Sequence, residues 1–127
     1  MESNFSNVKI LIVEDVDSSL KYYETAFKMA QADILITRNG NQAVEAVKNN
    51  PDIDIVLMDI NMPEMNGLEA TTSIRAINPK IFIIIQTAYV IDYSREKCMK
   101  AGCDVYLTKP ISLKILFNTI TELLNKK

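Results

Sequence analysis

The chain has no histidine, and its 127 residues include only two cysteines and three glycines. The missing histidine excludes Ser–His triads, histidine-ligated zinc and any relay through a phosphohistidine of its own. Its chemistry must come from carboxylates, hydroxyls, lysines and backbone. Cys98 and Cys103 fit neither a Cys-x-x-Cys redox pair nor a zinc pair, and packing is their expected role. There is no basic surplus either. The formal net charge is −2 and the lysines are scattered, so direct contact with nucleic acid is not expected. No apolar run approaches the roughly 20 residues that span a bilayer. Residues 1–7 lack the charged and apolar regions of a signal peptide, and a cytoplasmic location is expected.

What is present alternates strand and helix signals five times. Val8–Val13 is a mostly apolar run, as a strand covered on both faces requires, and it ends in Glu14 and Asp15. Asp17 or Ser18 is expected to cap the next helix, whose Leu20, Tyr23, Phe27 and Ala30 recur at helical spacing. Asp33–Arg38 reads as the second strand and Asn39-Gly40 as its turn. A short helix with Ala43, Val44 and Val47 stops at Pro51. The third strand starts at Ile53 and ends on Asp59. Asn66 with Glu69 resembles a capping box and opens a helix that stops before Pro79.

Ile81–Gln86 is the most apolar strand, with Thr87 at its end. A weaker helix over Ile91–Ala101 is closed by Gly102 as a left-handed cap. Asp104–Leu107 is the last strand, Thr108, Lys109 and Pro110 form its exit loop, and Ser112 caps a closing helix carrying Leu113, Leu116, Phe117, Ile120, Leu123 and Leu124 on one side. The expected fold is α/β: a doubly wound (βα)5 three-layer sandwich around a five-stranded parallel sheet, one domain over residues 1–127.

Parallel strands bring their C-terminal ends to one edge, which unites Glu14, Asp15, Asp59, Thr87 and Lys109. Three carboxylates so close do not stay ionised together without cations. Lys109 supplies one. A divalent ion is the natural second, and oxygen-only ligation favours Mg²⁺. A carboxylate beside Mg²⁺, a lysine and a hydroxyl is a phosphoryl-accepting nucleophile.

The set Glu14-Asp15, Asp59 with Asn61, Pro63 and Gly67, Thr87-Ala88, and Lys109-Pro110 resembles the receiver domain of two-component response regulators over essentially the whole chain. The resemblance implies a flavodoxin-like strand order 2-1-3-4-5, with Asp59 taking phosphate from a histidine kinase or a histidine phosphotransfer domain. It also implies that Asp15, Asp59 and the Asn61 carbonyl bind Mg²⁺ directly and Glu14 through water. Thr87 and the Ala88 amide would hold phosphoryl oxygens, and Lys109, joined to Pro110 by a cis peptide, would pair with the phosphate. Tyr106 matches the aromatic that turns inward as Thr87 moves. Asn61 and Tyr89 border the approach of hydrolytic water and are expected to set the phosphate lifetime, with shielding by Tyr89 dominant. Ser19, Tyr22, Pro110 and Ile111 are the expected partner-binding residues.

A flavin-binding electron carrier shares this fold, but the acidic loop Glu14-Asp15-Val16-Asp17 repels phosphate. A haloacid-dehalogenase-like phosphatase needs a second acid two residues past the nucleophile, where this chain has Asn61. A degenerate receiver acting only as a binding module is the remaining alternative, and the complete acceptor set argues against it. Such a receiver is either freestanding or part of a hybrid sensor kinase, and Gly102-Cys103-Asp104 with Lys109-Pro110-Ile111 favours the second.

Overall fold

In a computed structural model describing residues 4–60, 66–88 and 95–126, ten elements alternate along the chain. They are β1 (Lys9–Val13), α1 (Asp17–Met29), β2 (Asp33–Thr37), α2 (Gly40–Asn49), β3 (Ile55–Asp59), α3 (Gly67–Ile77), β4 (Phe82–Thr87), α4 (Arg95–Ala101), β5 (Val105–Thr108) and α5 (Leu113–Leu124). All strand pairs are parallel and the order is β2-β1-β3-β4-β5, as expected. Strand boundaries lie one or two residues from the sequence reading. Residues 91–94 of the expected fourth helix lie outside the described residues.

Two cores flank the sheet. Alternation along the central strands sends Ile12, Leu57 and Ile84 to one face, with Leu20 and Phe27 of α1 and Leu116 and Ile120 of α5. Val13, Met58 and Ile85 go to the other, with Ala43 of α2, Ile74 of α3 and Cys98 of α4. All five residues of β3 are buried, which is why its sequence is nearly continuous in apolar residues until Asp59. Cys98 and Cys103 are buried free thiols in the second core, and burial pushes the Cys103 thiol up to about 12. Such thiols are inert packing groups.

Two cap assignments need correction. Neither Asp17 nor Ser18 caps α1: Val16 holds that position with no side-chain cap bond, because the Asp17 carboxylate is drawn to Arg38 Nη2 at 2.7 Å. Asn39-Gly40 is not a free turn. Asn39 caps α2, its side chain accepting from the Gln42 amide at 2.8 Å, and Gly40 is the first helical residue. The caps at Asn66 and Ser112 stand as read, accepting from the Glu69 and Ile115 amides. Gly102 has φ of +114°, the left-handed side that favours glycine.

Candidate functional site

The winding direction of the sheet reverses between β1 and β3, and the C-terminal ends of those strands open a crevice where ligands bind in doubly wound folds. Glu14 and Asp15 directly follow β1, and Asp59 is the last residue of β3. One oxygen from each lies within 4.8 Å of the other two. Glu14 has no exposure and Asp59 only 6%, while Asp15 is half-buried.

At 4.8 Å and an effective dielectric of about 20, each pair of these charges repels by roughly 3.5 kcal/mol. Lys109 answers part of that. Its Nζ donates to Glu14 Oε1 at 3.1 Å and stands 3.7 Å from Asp59 Oδ2. The backbone fixes its origin, since the Lys109 amide donates to the Thr87 carbonyl at 2.8 Å. Three carboxylates against one ammonium leave a charge of −2 on an oxygen-only donor set. That is the balance a hard divalent cation completes, so the residues present fit a Mg²⁺ site.

The other expected residues fall around this centre. Thr87 is fully buried at the end of β4 and Ala88 is exposed just beyond it. Tyr106 is half-buried and packs on the core beneath α3 and α4. The Lys109–Pro110 peptide is cis. Ile111 packs against the α1/α5 core, Ser19 is half-buried, and Tyr22 is 48% exposed with its ring edge against Tyr23. Asn61 and Tyr89 lie outside the described residues.

Three features of the site were not read from the sequence. Arg38 straps the acidic loop, its guanidinium donating to the Asp15 carbonyl at 3.4 Å while holding Asp17. Gly67 is required by close approach: a Cβ there would stand 2.6 Å from Ile60 Cα and 2.7 Å from the Asp59 carbonyl oxygen. Its amide donates to the Ile60 carbonyl at 2.9 Å and seats α3 against the end of β3. Tyr23, on the buried stripe of α1, donates its hydroxyl to Oε1 of Gln86. A glutamine inside the most apolar strand was the one signal for that contact.

The family model described as the response regulator receiver domain matches residues 10–121. The chain is a response regulator receiver domain. Polar-differentiation response regulator DivK of Brucella anthropi is 31% identical over 117 residues, covering 91% of this receiver and 94% of DivK. The receiver domain of sensor histidine kinase PA1611 from Pseudomonas aeruginosa, solved with magnesium coordinated in its active-site cleft, matches with a TM-score of 0.84. That likeness is 29% identical and covers 93% of this receiver and 98% of that chain. A receiver domain co-crystallised with a histidine phosphotransfer protein, Ssk1 with Ypd1 of Saccharomyces cerevisiae, matches with a TM-score of 0.85 and 27% identity, over 94% and 90% of the two chains. Other relatives are far longer: this receiver spans 31% of a cyclic di-GMP phosphodiesterase from Thermotoga maritima and 7% of a hybrid histidine kinase from Dictyostelium discoideum.

Proposed function

We propose that this receiver takes a phosphoryl group onto Asp59 from the phosphohistidine of a partner kinase or phosphotransfer protein, in a Mg²⁺-dependent step. The observation that carries the reading is the cluster of Glu14, Asp15 and Asp59, in which Lys109 bridges the buried Glu14 and Asp59. A carboxylate oxygen of Asp59 attacks phosphorus as the phosphorus–nitrogen bond breaks, and the departing imidazole takes a proton from solvent. Positioning and charge neutralisation suffice for this, so the absence of a histidine base in the chain is no obstacle. Asp15, Asp59 and the Asn61 carbonyl would hold Mg²⁺ directly and Glu14 through water; the ion would offset charge on the incoming phosphoryl oxygens. Lys109 pairs with the phosphoryl group from the side of β5, while Thr87 and the Ala88 amide take its oxygens. Movement of Thr87 toward the phosphate makes room for Tyr106.

On this reading the whole of residues 1–127 is one cytoplasmic phosphoacceptor unit rather than an enzyme acting on other molecules. The partner docks beside the acidic loop on Ser19, Tyr22, Pro110 and Ile111. Support comes from exposed apolar side chains at the start of α1, Val16 and Tyr22, and in the first turn of α5, Ile115. A groove lined by Ser18, Lys21, Tyr22, Thr25, Met29 and Leu113 runs along α1.

Labelling with acetyl phosphate tests the reading without a partner. Wild-type protein should take one phosphoryl group only when Mg²⁺ is present, and Asp59→Asn should take none while keeping its fold. Label that persists in Asp59→Asn rules out this acceptor. A wild type that stays unlabelled indicates a receiver that works only as a binding module.

A further inference from the structure

Gln86 pairs in register with Asp59 on the adjacent strand and is fully buried. Leu57 and Ile84, two residues earlier and paired with each other, belong to the α1/α5 core, whereas Met58 and Ile85 belong to the opposite one. Alternation therefore puts Asp59 and Gln86 side by side on the α1/α5 face, where β1 brings Glu14. Tyr23 reaches this layer from α1 and occupies Gln86 Oε1. The other half of the amide, Nε2, is buried with no hydrogen-bond partner among the described residues. A buried donor left unmatched is costly and calls for an explanation.

The surroundings supply one. Burial first, and then the nearby charge of Glu14, push the Tyr23 hydroxyl up to about 12, so at neutral pH it remains a hydroxyl that holds the amide. Glu14 acts on that hydroxyl more strongly than Asp59 does. Glu14 has no exposure, and its ionic partner is Lys109 at 3.1 Å. Phosphorylation turns the −1 of the Asp59 carboxylate into close to −2, carried out on the phosphoryl oxygens, and draws the ammonium toward them. Glu14 then loses its direct ammonium donor in a place where a carboxylate needs its oxygens hydrogen-bonded, and the water that would join it to Mg²⁺ serves only part of that need.

We propose that Gln86, oriented by Tyr23, is a positioning residue of the phosphoacceptor site, its Nε2 donor taking over the Glu14 carboxylate when Lys109 turns to the phosphoryl group. The inference rests on the acceptor role of Asp59 proposed above. A neutral donor already buried in the acid row allows the lysine to move without bringing in another charged side chain. It acts through Glu14 and Lys109 and does not touch the phosphoryl group.

The double variant Tyr23→Phe, Gln86→Met removes both halves of the pair at similar volume. Loss of both partners together leaves stability unchanged or raised, so its urea midpoint should not fall below that of wild type. The limiting rate of Mg²⁺-dependent labelling by acetyl phosphate should drop about tenfold, the lower end for a hydrogen bond to a charged group. The half-saturating acetyl phosphate concentration and the Mg²⁺ affinity should stay within about twofold, because neither ligand meets the amide. A wild-type limiting rate in the folded double variant overturns the proposal. Should the variant not fold, wild-type protein still decides: the Gln86 side-chain amide proton resonances should move downfield on phosphorylation, and unmoved resonances overturn the proposal. Label surviving in Asp59→Asn would remove the acceptor role and this inference with it, whereas a normal rate in the double variant alone removes only the role of Gln86.

Discussion

Replacing Lys109 with Met should destabilise the protein in a way that Mg²⁺ partly reverses. In the native site the ammonium is 3.1 Å from Glu14 and 3.7 Å from Asp59. At an effective dielectric of about 20 those distances correspond to attractions of roughly 5 and 4.5 kcal/mol, much of which is offset by desolvating the charges. Removing one member of a buried pair costs about 3–5 kcal/mol, because the other is left buried and unpaired. The Lys109 side chain is 24% exposed, which places the loss near the lower end, about 3 kcal/mol. Urea unfolding at neutral pH in a chelator should show that loss. With saturating Mg²⁺ the gap to wild type should shrink by about 1 kcal/mol or more, since a site left with three carboxylates and no lysine binds a cation more tightly and ligand binding stabilises the folded state. A loss below about 1 kcal/mol in chelator, or a gap that Mg²⁺ leaves unchanged, would refute Lys109 as the counter-charge of buried Glu14.

Gly67→Ala sets two effects against each other: alanine favours the helix by about 1 kcal/mol, yet its Cβ meets backbone at 2.6 and 2.7 Å, so overpacking of about 1–3 kcal/mol should win. Thermal melts should show a lower midpoint, and acetyl phosphate labelling should slow because the displaced atoms belong to Asp59 and Ile60; a stabilised variant contradicts the close-approach argument. Tyr23 is pushed from 10 to about 12, so stability from this group is complete below pH 10 and is lost as pH rises from 10 to 12, by about 2–3 kcal/mol. The difference between wild-type and Tyr23→Phe stability across that window isolates the effect, and parallel curves would disprove it. Tyr22→Ala should slow phosphotransfer from a cognate phosphohistidine protein tenfold or more, on the scale of about 2 kcal/mol for an interface hot spot. Labelling of that variant by acetyl phosphate should be unchanged, and equal phosphotransfer from the protein donor would exclude Tyr22 from the docking surface.

The strand ends were legible in the sequence because two local signals coincide there. An apolar run identifies a buried strand, and a carboxylate, hydroxyl or lysine at its end marks the edge where parallel strands must meet. Glu14, Asp15, Asp59, Thr87 and Lys109 needed nothing else. What escaped depends on partners distant in the chain. Asp17 has the composition of a cap, but Arg38, at the end of the next strand, competes for its carboxylate. Asn39-Gly40 carries the same residues whether it forms a free turn or a cap and first helical turn, and only the Gln42 amide at 2.8 Å distinguishes them. Phe5 lies among polar residues with no periodicity, yet it is buried edge-to-face against Phe117 of α5, with ring centroids 5.2 Å apart.

The two edges of the sheet divide the electrostatic work. At the N-terminal edge the charges are matched by directed bonds. Arg75 donates to the carbonyls of Ile81 and Gly102 and to Asp104 Oδ2, which also accepts from the Ile83 amide. The Lys9 amide donates to Asp54 Oδ2 and its side chain pairs with Asp52. Removing any of those groups exposes a broken bond and gains nothing. At the C-terminal edge three carboxylates share one lysine, a surplus of two negative charges that the buried core of β1, β3 and β4 holds in place. Phosphorylation would replace the −1 of the Asp59 carboxylate by an acyl phosphate of close to −2 and so bring the surplus, with Lys109 already counted, close to three; at separations near 5 Å each added pair of like charges costs roughly 3 kcal/mol. Were Asp59 phosphorylated as proposed, a divalent cation would offset most of that charge, and the charge that makes the resting site unfavourable would favour binding the ion and the phosphoryl group together.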